Sequence, residues 1–128
     1  MTDVVTLKLP REQEFFGVAH LVLGGLAARL DLTYDILDDM TTAIDELLER
    51  RESSEDVTLS VRIEEDSLSA SVGPFDERIA GELQSGGDGF GLRRVLETVV
   101  DRVSVEQRDG AQWVELHKSL GGERTVAG

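Results

Sequence analysis

Two periodic patterns of hydrophobic and polar residues divide the chain. Alternating apolar and polar positions predict β-strands at 5–9, 57–63, 68–72, 103–108 and 111–120. Apolar residues at helical spacing predict helices at 11–30, from Thr33 to about Arg51, after Asp76 and at 90–100. In this order, pairs of helices alternate with antiparallel hairpins. This order of elements predicts an α+β fold, a two-layer sandwich with helices on one face of a mostly antiparallel sheet of about five strands.

Turn residues mark the ends of the predicted strands. The acidic run 64–66 and the pair Asp109-Gly110 predict tight hairpin turns, and Gly73-Pro74 predicts the end of the third strand. No internal repeat or linker interrupts the pattern, so we expect a single domain over residues 1–120. Residues 121–128 are expected to form a disordered tail.

Charge and composition narrow the classes of partner. The 128 residues carry a formal net charge of −13, which disfavours nucleic acid and anionic membrane surfaces and favours a partner with a basic face. There is no cysteine and no N-terminal signal pattern, as in proteins of the reducing cytoplasm. With two histidines and no thiolate, we expect no metal site built from these side chains.

A glycine-rich segment at residues 86–91 leads into the last predicted helix. Free backbone N–H groups at such a helix start can hold a phosphate. A flexible turn capped by Asp88 explains the same residues equally well. The segment has neither the GK[ST] of a P-loop nor the preceding strand of a dinucleotide-binding fold.

Three further features of the sequence allow two interpretations each. Glu46 and Arg50 share one face of the second helix, either as a solvated ion pair or with the carboxylate aimed at a nucleotide pocket. Trp113 is interpreted as a core residue covered by helices, with an exposed interaction anchor as the alternative. His20, on a long apolar helix, is expected to be a half-buried, hydrogen-bonded histidine and not a ligand.

Three short motifs together resemble a known superfamily. They are Ala-Ile-Asp-Glu at 43–46, Val-Gly-Pro-Phe-Asp at 72–76 and Gly-Asp-Gly-Phe-Gly-Leu at 87–92. The combination is similar to the histidine-kinase/Hsp90-like (GHKL) ATPases, over roughly residues 4–120. More narrowly, it resembles the small bacterial anti-sigma factors that have serine-kinase activity. This resemblance implies ATP and Mg²⁺ as cofactors, a sigma factor and an anti-anti-sigma antagonist as partners, and a homodimer.

The resemblance also assigns roles to residues, with two departures from the family pattern. Glu46 matches the glutamate that acts as a base or orients water, but Arg50 stands where the family has a Mg²⁺-binding asparagine. Ser71 stands where the family has the aspartate that accepts the adenine amino group, although Gly73 of that motif is kept. The loop that wraps the phosphates matches Gly87, Gly89, Gly91 and the adjoining Leu92.

These departures predict a degenerate or nucleotide-free site in which Arg50 pairs with Glu46. In the alternative, Arg50 neutralises phosphate directly in a working ATPase. Three functions follow: a partner-switching regulator that binds a sigma factor and an antagonist, an active serine kinase that phosphorylates the antagonist, or a non-catalytic interaction module outside transcription. The first is the predicted function.

Overall fold

The structure is a computed structural model, and it describes residues 3–10, 12–49, 56–84 and 91–120. Its helices are α1 (Phe16–Leu30, after a 3-10 turn at Gln13–Phe15), α2 (Tyr34–Leu48), α3 (Glu77–Gln84) and α4 (Leu92–Glu97). Its strands are β1 (Asp3–Leu9), β2 (Val57–Ile63), β3 (Ser67–Phe75), β4 (Arg102–Arg108) and β5 (Ala111–Ser119). The predicted tail at 121–128 lies outside the described residues.

The five strands form one sheet in the order β1-β2-β3-β5-β4, and every neighbouring pair is antiparallel. One face of the sheet joins the helices in a hydrophobic core, because alternate strand residues point to the same side. The core contribution of the three central strands includes Leu59, Val61, Ala70, Val72, Val114 and Leu116. The predicted two-layer α+β architecture is therefore confirmed.

The second helix follows the predicted pattern at its start. Thr33 caps it, since its hydroxyl accepts a hydrogen bond from the Ile36 amide at 3.2 Å. The helix ends at Leu48, and most of the predicted extension to Arg51 falls outside the described residues. The first helix begins at Phe16 and not at residue 11, because a 3-10 turn precedes it.

The predicted end of the third strand is wrong. β3 continues through Gly73 and Pro74 to Phe75. Gly73 still pairs with Thr58 of β2, and Phe75 pairs with Gln112 of β5 after a shift in register. Such an irregularity is where a sheet accommodates a proline, which cannot donate to the ladder.

The other turns form as predicted. The Glu64 amide donates to the Ser67 carbonyl at 2.9 Å and closes the β2–β3 hairpin. Asp109 and Gly110 both have positive φ, 51° and 81°, which is the geometry of a two-residue hairpin turn between β4 and β5. The last helix is shorter than predicted, since α4 ends at Glu97.

The first two helices pack side by side over the sheet. His20 of α1 and Asp45 of α2 are joined by a hydrogen bond of 2.6 Å, which confirms the expected hydrogen-bonded histidine, although its side chain is 44% exposed. The solvent side of α1 remains apolar, with Leu21 78% exposed and Val18 37% exposed. No helix in the described part of the chain is long and apolar enough to span a membrane.

Candidate functional site

Glu46 lies on the helical side of the sheet, on the flank of α2 next to its buried stripe. Asp39, two helical turns earlier on the same flank, forms an ion pair of 3.1 Å with Lys118 of β5. The Lys118 ammonium also donates to the Val99 carbonyl at 3.0 Å, just after α4. This flank therefore faces β5 and α4, and Glu46 is half-buried there with no hydrogen bond to any described residue.

The start of α4 is the other described part of the predicted nucleotide site. Gly91 is the N-cap residue, and its carbonyl accepts hydrogen bonds from the Arg94 and Val95 amides at 3.0 and 3.2 Å. Leu92 is 2% exposed and belongs to the core. Since α2 contacts α4, the structure brings the helices of Glu46 and Gly91 together.

Arg93, which directly follows the glycine motif, is engaged with the protein itself. Its Nη1 donates to the Leu83 carbonyl of α3 at 3.1 Å, and its Nε donates to Glu97 at 3.0 Å. The guanidinium therefore ties α3 to α4 across the segment at 85–90. Arg50, Gly87 and Gly89, which the sequence assigns to the same site, lie outside the described residues.

Ser71 lies on the opposite face of the sheet from Glu46. Its neighbours Ala70 and Val72 point into the core under the helices, so the Ser71 side chain points away from them. Across the strands it pairs with Ser60 of β2 and Glu115 of β5. The sheet thus separates this hydroxyl from Glu46, and the structure does not bring the two residues into one site.

Gly73 shares the outer face with Ser71 and lies under an aromatic ring. A Cβ atom at this position would lie 2.5 Å from Cδ2 of Trp113, so only glycine fits beneath the indole. The Arg108 guanidinium covers the ring, 5.0 Å from its centroid. The prediction that helices cover Trp113 is wrong, because its strand presents Val114 and Leu116 to the helices and the indole to the other face.

The described residues supply an incomplete nucleotide site. On the helical side they offer one carboxylate, Glu46, beside the start of a short helix. The hydroxyl expected to meet adenine faces away from it. Among the described residues, no group of three or more His, Asp or Glu side chains is arranged to hold a metal ion. The described residues therefore supply only part of the predicted site, and Arg50, Gly87 and Gly89 lie outside them.

Comparison with known proteins gives a consistent set of relatives, although no protein-family model matches the chain. Proteins named serine-protein kinase RsbW are 29% identical in Bacillus velezensis, over 98% of this chain and 91% of the relative. The Bacillus subtilis protein of that name is 27% identical, over 95% of this chain and 89% of the relative. One from Listeria monocytogenes is 27% identical, over 89% of this chain and 86% of the relative.

A solved structure has the same fold. It contains the RsbU and RsbW domains of a Mycobacterium tuberculosis protein, and it superposes with a TM-score of 0.68 at 15% sequence identity. The match covers 92% of this chain and 32% of that longer chain. At this identity the match supports the fold alone.

Proposed function

Because this chain is a homologue of the RsbW serine-protein kinases of the GHKL superfamily, we propose that it is a partner-switching regulator of the anti-sigma-factor type. It binds a sigma factor and an anti-anti-sigma antagonist on overlapping surfaces, in the cytoplasm. The observation that carries the proposal is homology along nearly the whole chain. A net charge of −13 supports it as well, since this charge attracts a partner with a basic face.

The nucleotide site of this regulator is degenerate in our proposal. Three observations support this: arginine at position 50, serine at position 71, and the direction in which Ser71 points. Glu46 keeps its place beside α4, but a carboxylate alone repels phosphate. Regulation would then depend on which partner is bound and not on a phosphorylation cycle.

An active kinase is the second candidate, and the names of the relatives favour it. In that case Glu46 would accept the proton of the antagonist's serine hydroxyl as the phosphate is transferred. Arg50, Gly87 and Gly89 would then bind the phosphates of ATP together with Mg²⁺, next to Glu46. Ser71, which stands at the family's adenine position, faces the other side of the sheet.

We also propose that the regulator is a homodimer that forms through α1. The outer side of this helix exposes Val18 and Leu21 between the small residues Gly17 and Gly25. Residues 16–28 contain no Asp, Glu, Lys or Arg. Two copies that each carry a charge of −13 repel each other, and an uncharged helix face is where they approach at the lowest electrostatic cost.

Affinity capture with the immobilised full-length protein tests the main proposal. We expect a sigma factor and an antagonist to be recovered, with the antagonist displacing the sigma factor on addition. Recovery of neither class from the source organism's extract would contradict the proposal. For the dimer, Leu21→Asp should give the monomer mass in sedimentation, whereas the exposed α2 variant Asp38→Ala should not.

Calorimetric titration with ATP and Mg²⁺ separates the regulator from the kinase. We expect no saturable heat at millimolar ATP with the folded protein. If ATP does bind and the antagonist becomes phosphorylated, the degenerate site is refuted. In that event Glu46→Ala should abolish transfer while Asp38→Ala, on the same helix but exposed, should leave it intact.

A further inference from the structure

The face of the sheet opposite the helices carries a hollow of about 370 Å³. Its polar lining is formed by Ser60, Arg62, Ser69, Ser71, Arg108 and Glu115. None of the four described helices packs on this face, so the walls are long side chains that rise from β2, β4 and β5 around β3. A volume near the lower end of the range for small-molecule pockets admits a small metabolite.

Ser71 lies at the floor of this hollow and is 8% exposed. Its hydroxyl has no hydrogen-bond partner in the described part of the chain. Buried polar groups in folded proteins are nearly always hydrogen-bonded, because an unpaired one costs free energy. An unpaired hydroxyl at the bottom of a polar hollow indicates that a polar molecule completes it.

The two walls of the hollow carry opposite charge. On one side, Arg108 forms ion pairs of 2.5 Å with Glu115 of the lining and with Glu106 next to it, so these three side chains together carry one net negative charge. On the other side, Arg62 forms no ion pair with any described residue. The strands that bear Glu115 and Arg62 flank β3, about 10 Å apart, so both charged groups reach over Ser71.

We propose that this hollow binds a small zwitterion of the α-amino-acid class. The ligand carboxylate pairs with Arg62, and the ligand ammonium group pairs with Glu115. The Ser71 hydroxyl forms a hydrogen bond with the ligand from the floor of the hollow. A simple anion fits less well, because one wall is acidic and the whole protein carries a charge of −13. The site lies on the other face of the sheet from Glu46, and the inference is independent of the proposed function.

Thermal-shift screening of the full-length protein against the twenty amino acids tests the proposal. Each hit is then titrated into the protein while the NMR chemical shifts of the backbone amides are followed. At least one amino acid should bind with a dissociation constant of about 1 mM or below and shift the amides around Ser71 and Glu115. Acetate and ethylammonium, which each carry half of the zwitterion, should bind at least about tenfold more weakly. If none of the twenty binds, or if acetate binds equally well, the proposal is refuted.

Variants then locate the site. Arg62→Gln should weaken binding at least about tenfold, while Lys8→Gln, an exposed charge on the same face outside the hollow, should not. Ser71→Ala should leave the free protein stable, because it removes a buried unpaired hydroxyl. It should nevertheless weaken the binding of the ligand. Unchanged affinity in both Arg62→Gln and Ser71→Ala would overturn the assignment, whatever the screen shows.

Discussion

Replacing Gly73 with alanine tests whether Trp113 is packed directly against the backbone of β3. The added Cβ would lie 2.5, 2.7 and 2.9 Å from Cδ2, Cε3 and Cγ of the indole. Cγ lies on the Cβ–Cγ bond, so rotation of the ring about χ2 does not remove its contact at 2.9 Å. Movement away from the strand is limited by the Arg108 guanidinium, 5.0 Å above the ring centroid.

Overpacking of this kind costs about 1–3 kcal/mol of unfolding free energy. A domain of this size has roughly 5–15 kcal/mol, so Gly73→Ala should fold but unfold at lower urea concentration with an unchanged m-value. Trp113 is the one tryptophan in the chain, so its fluorescence reports the displacement directly. Far-ultraviolet circular dichroism provides a second, independent probe of unfolding.

Two comparisons make this experiment decisive. Gly81→Ala adds a Cβ that meets nothing within 4 Å on the exposed side of α3, so it should stabilise the protein by about 0.5–1 kcal/mol. In a Trp113→Ala background, Gly73→Ala should cost less than about 0.5 kcal/mol, because the clash is gone. An equal loss in both backgrounds, or no loss in the native background, would refute the packing argument.

Three further substitutions test contacts between elements by urea unfolding. Thr33→Ala should lose about 0.5–2 kcal/mol through the missing helix cap, and full retention of stability would exclude a capping role. A double-mutant cycle on His20 and Asp45 should give a coupling of about 0.2–1 kcal/mol, since both side chains are partly exposed; zero coupling would mean that the bond adds nothing. Lys118→Met should lose about 1–3 kcal/mol of unfolding free energy, because Asp39 and the Val99 carbonyl lose their hydrogen-bond donor. An unchanged urea midpoint of unfolding would contradict this.

Local patterns predicted most of the fold because the deciding interactions are local. The alternation along β2 survives in its burial, the Thr33 hydroxyl caps the helix that follows it, and Asp109-Gly110 adopts the φ angles its residue types favour. The extension of β3 past Pro74 depends on a register shift against β5, which is far away in sequence. No local pattern carries that information.

The candidate site was predicted only in part, for a different reason. Alternation already places Ser71 opposite Val72, but only the packing of Val72 and Val114 against the helices shows which face is covered. The family motif assigns Ser71 to the nucleotide side by its position in the sequence. The geometry of this chain places Glu46 and Gly91 on neighbouring helices and leaves Ser71 on the other face.

Restoring the family's aspartate at position 71 distinguishes these two views. If Ser71 were at the adenine pocket, Ser71→Asp would increase affinity for ATP. In this structure the new carboxylate would be buried on the outer face, directly opposite Glu115 on β5, and like charges across a strand pair destabilise a sheet. We expect Ser71→Asp to lose more than about 1 kcal/mol of unfolding free energy and to gain no heat on titration with ATP and Mg²⁺. A gain of ATP binding with unchanged stability would show that the side chain at position 71 faces the helices and would refute its placement on the outer face.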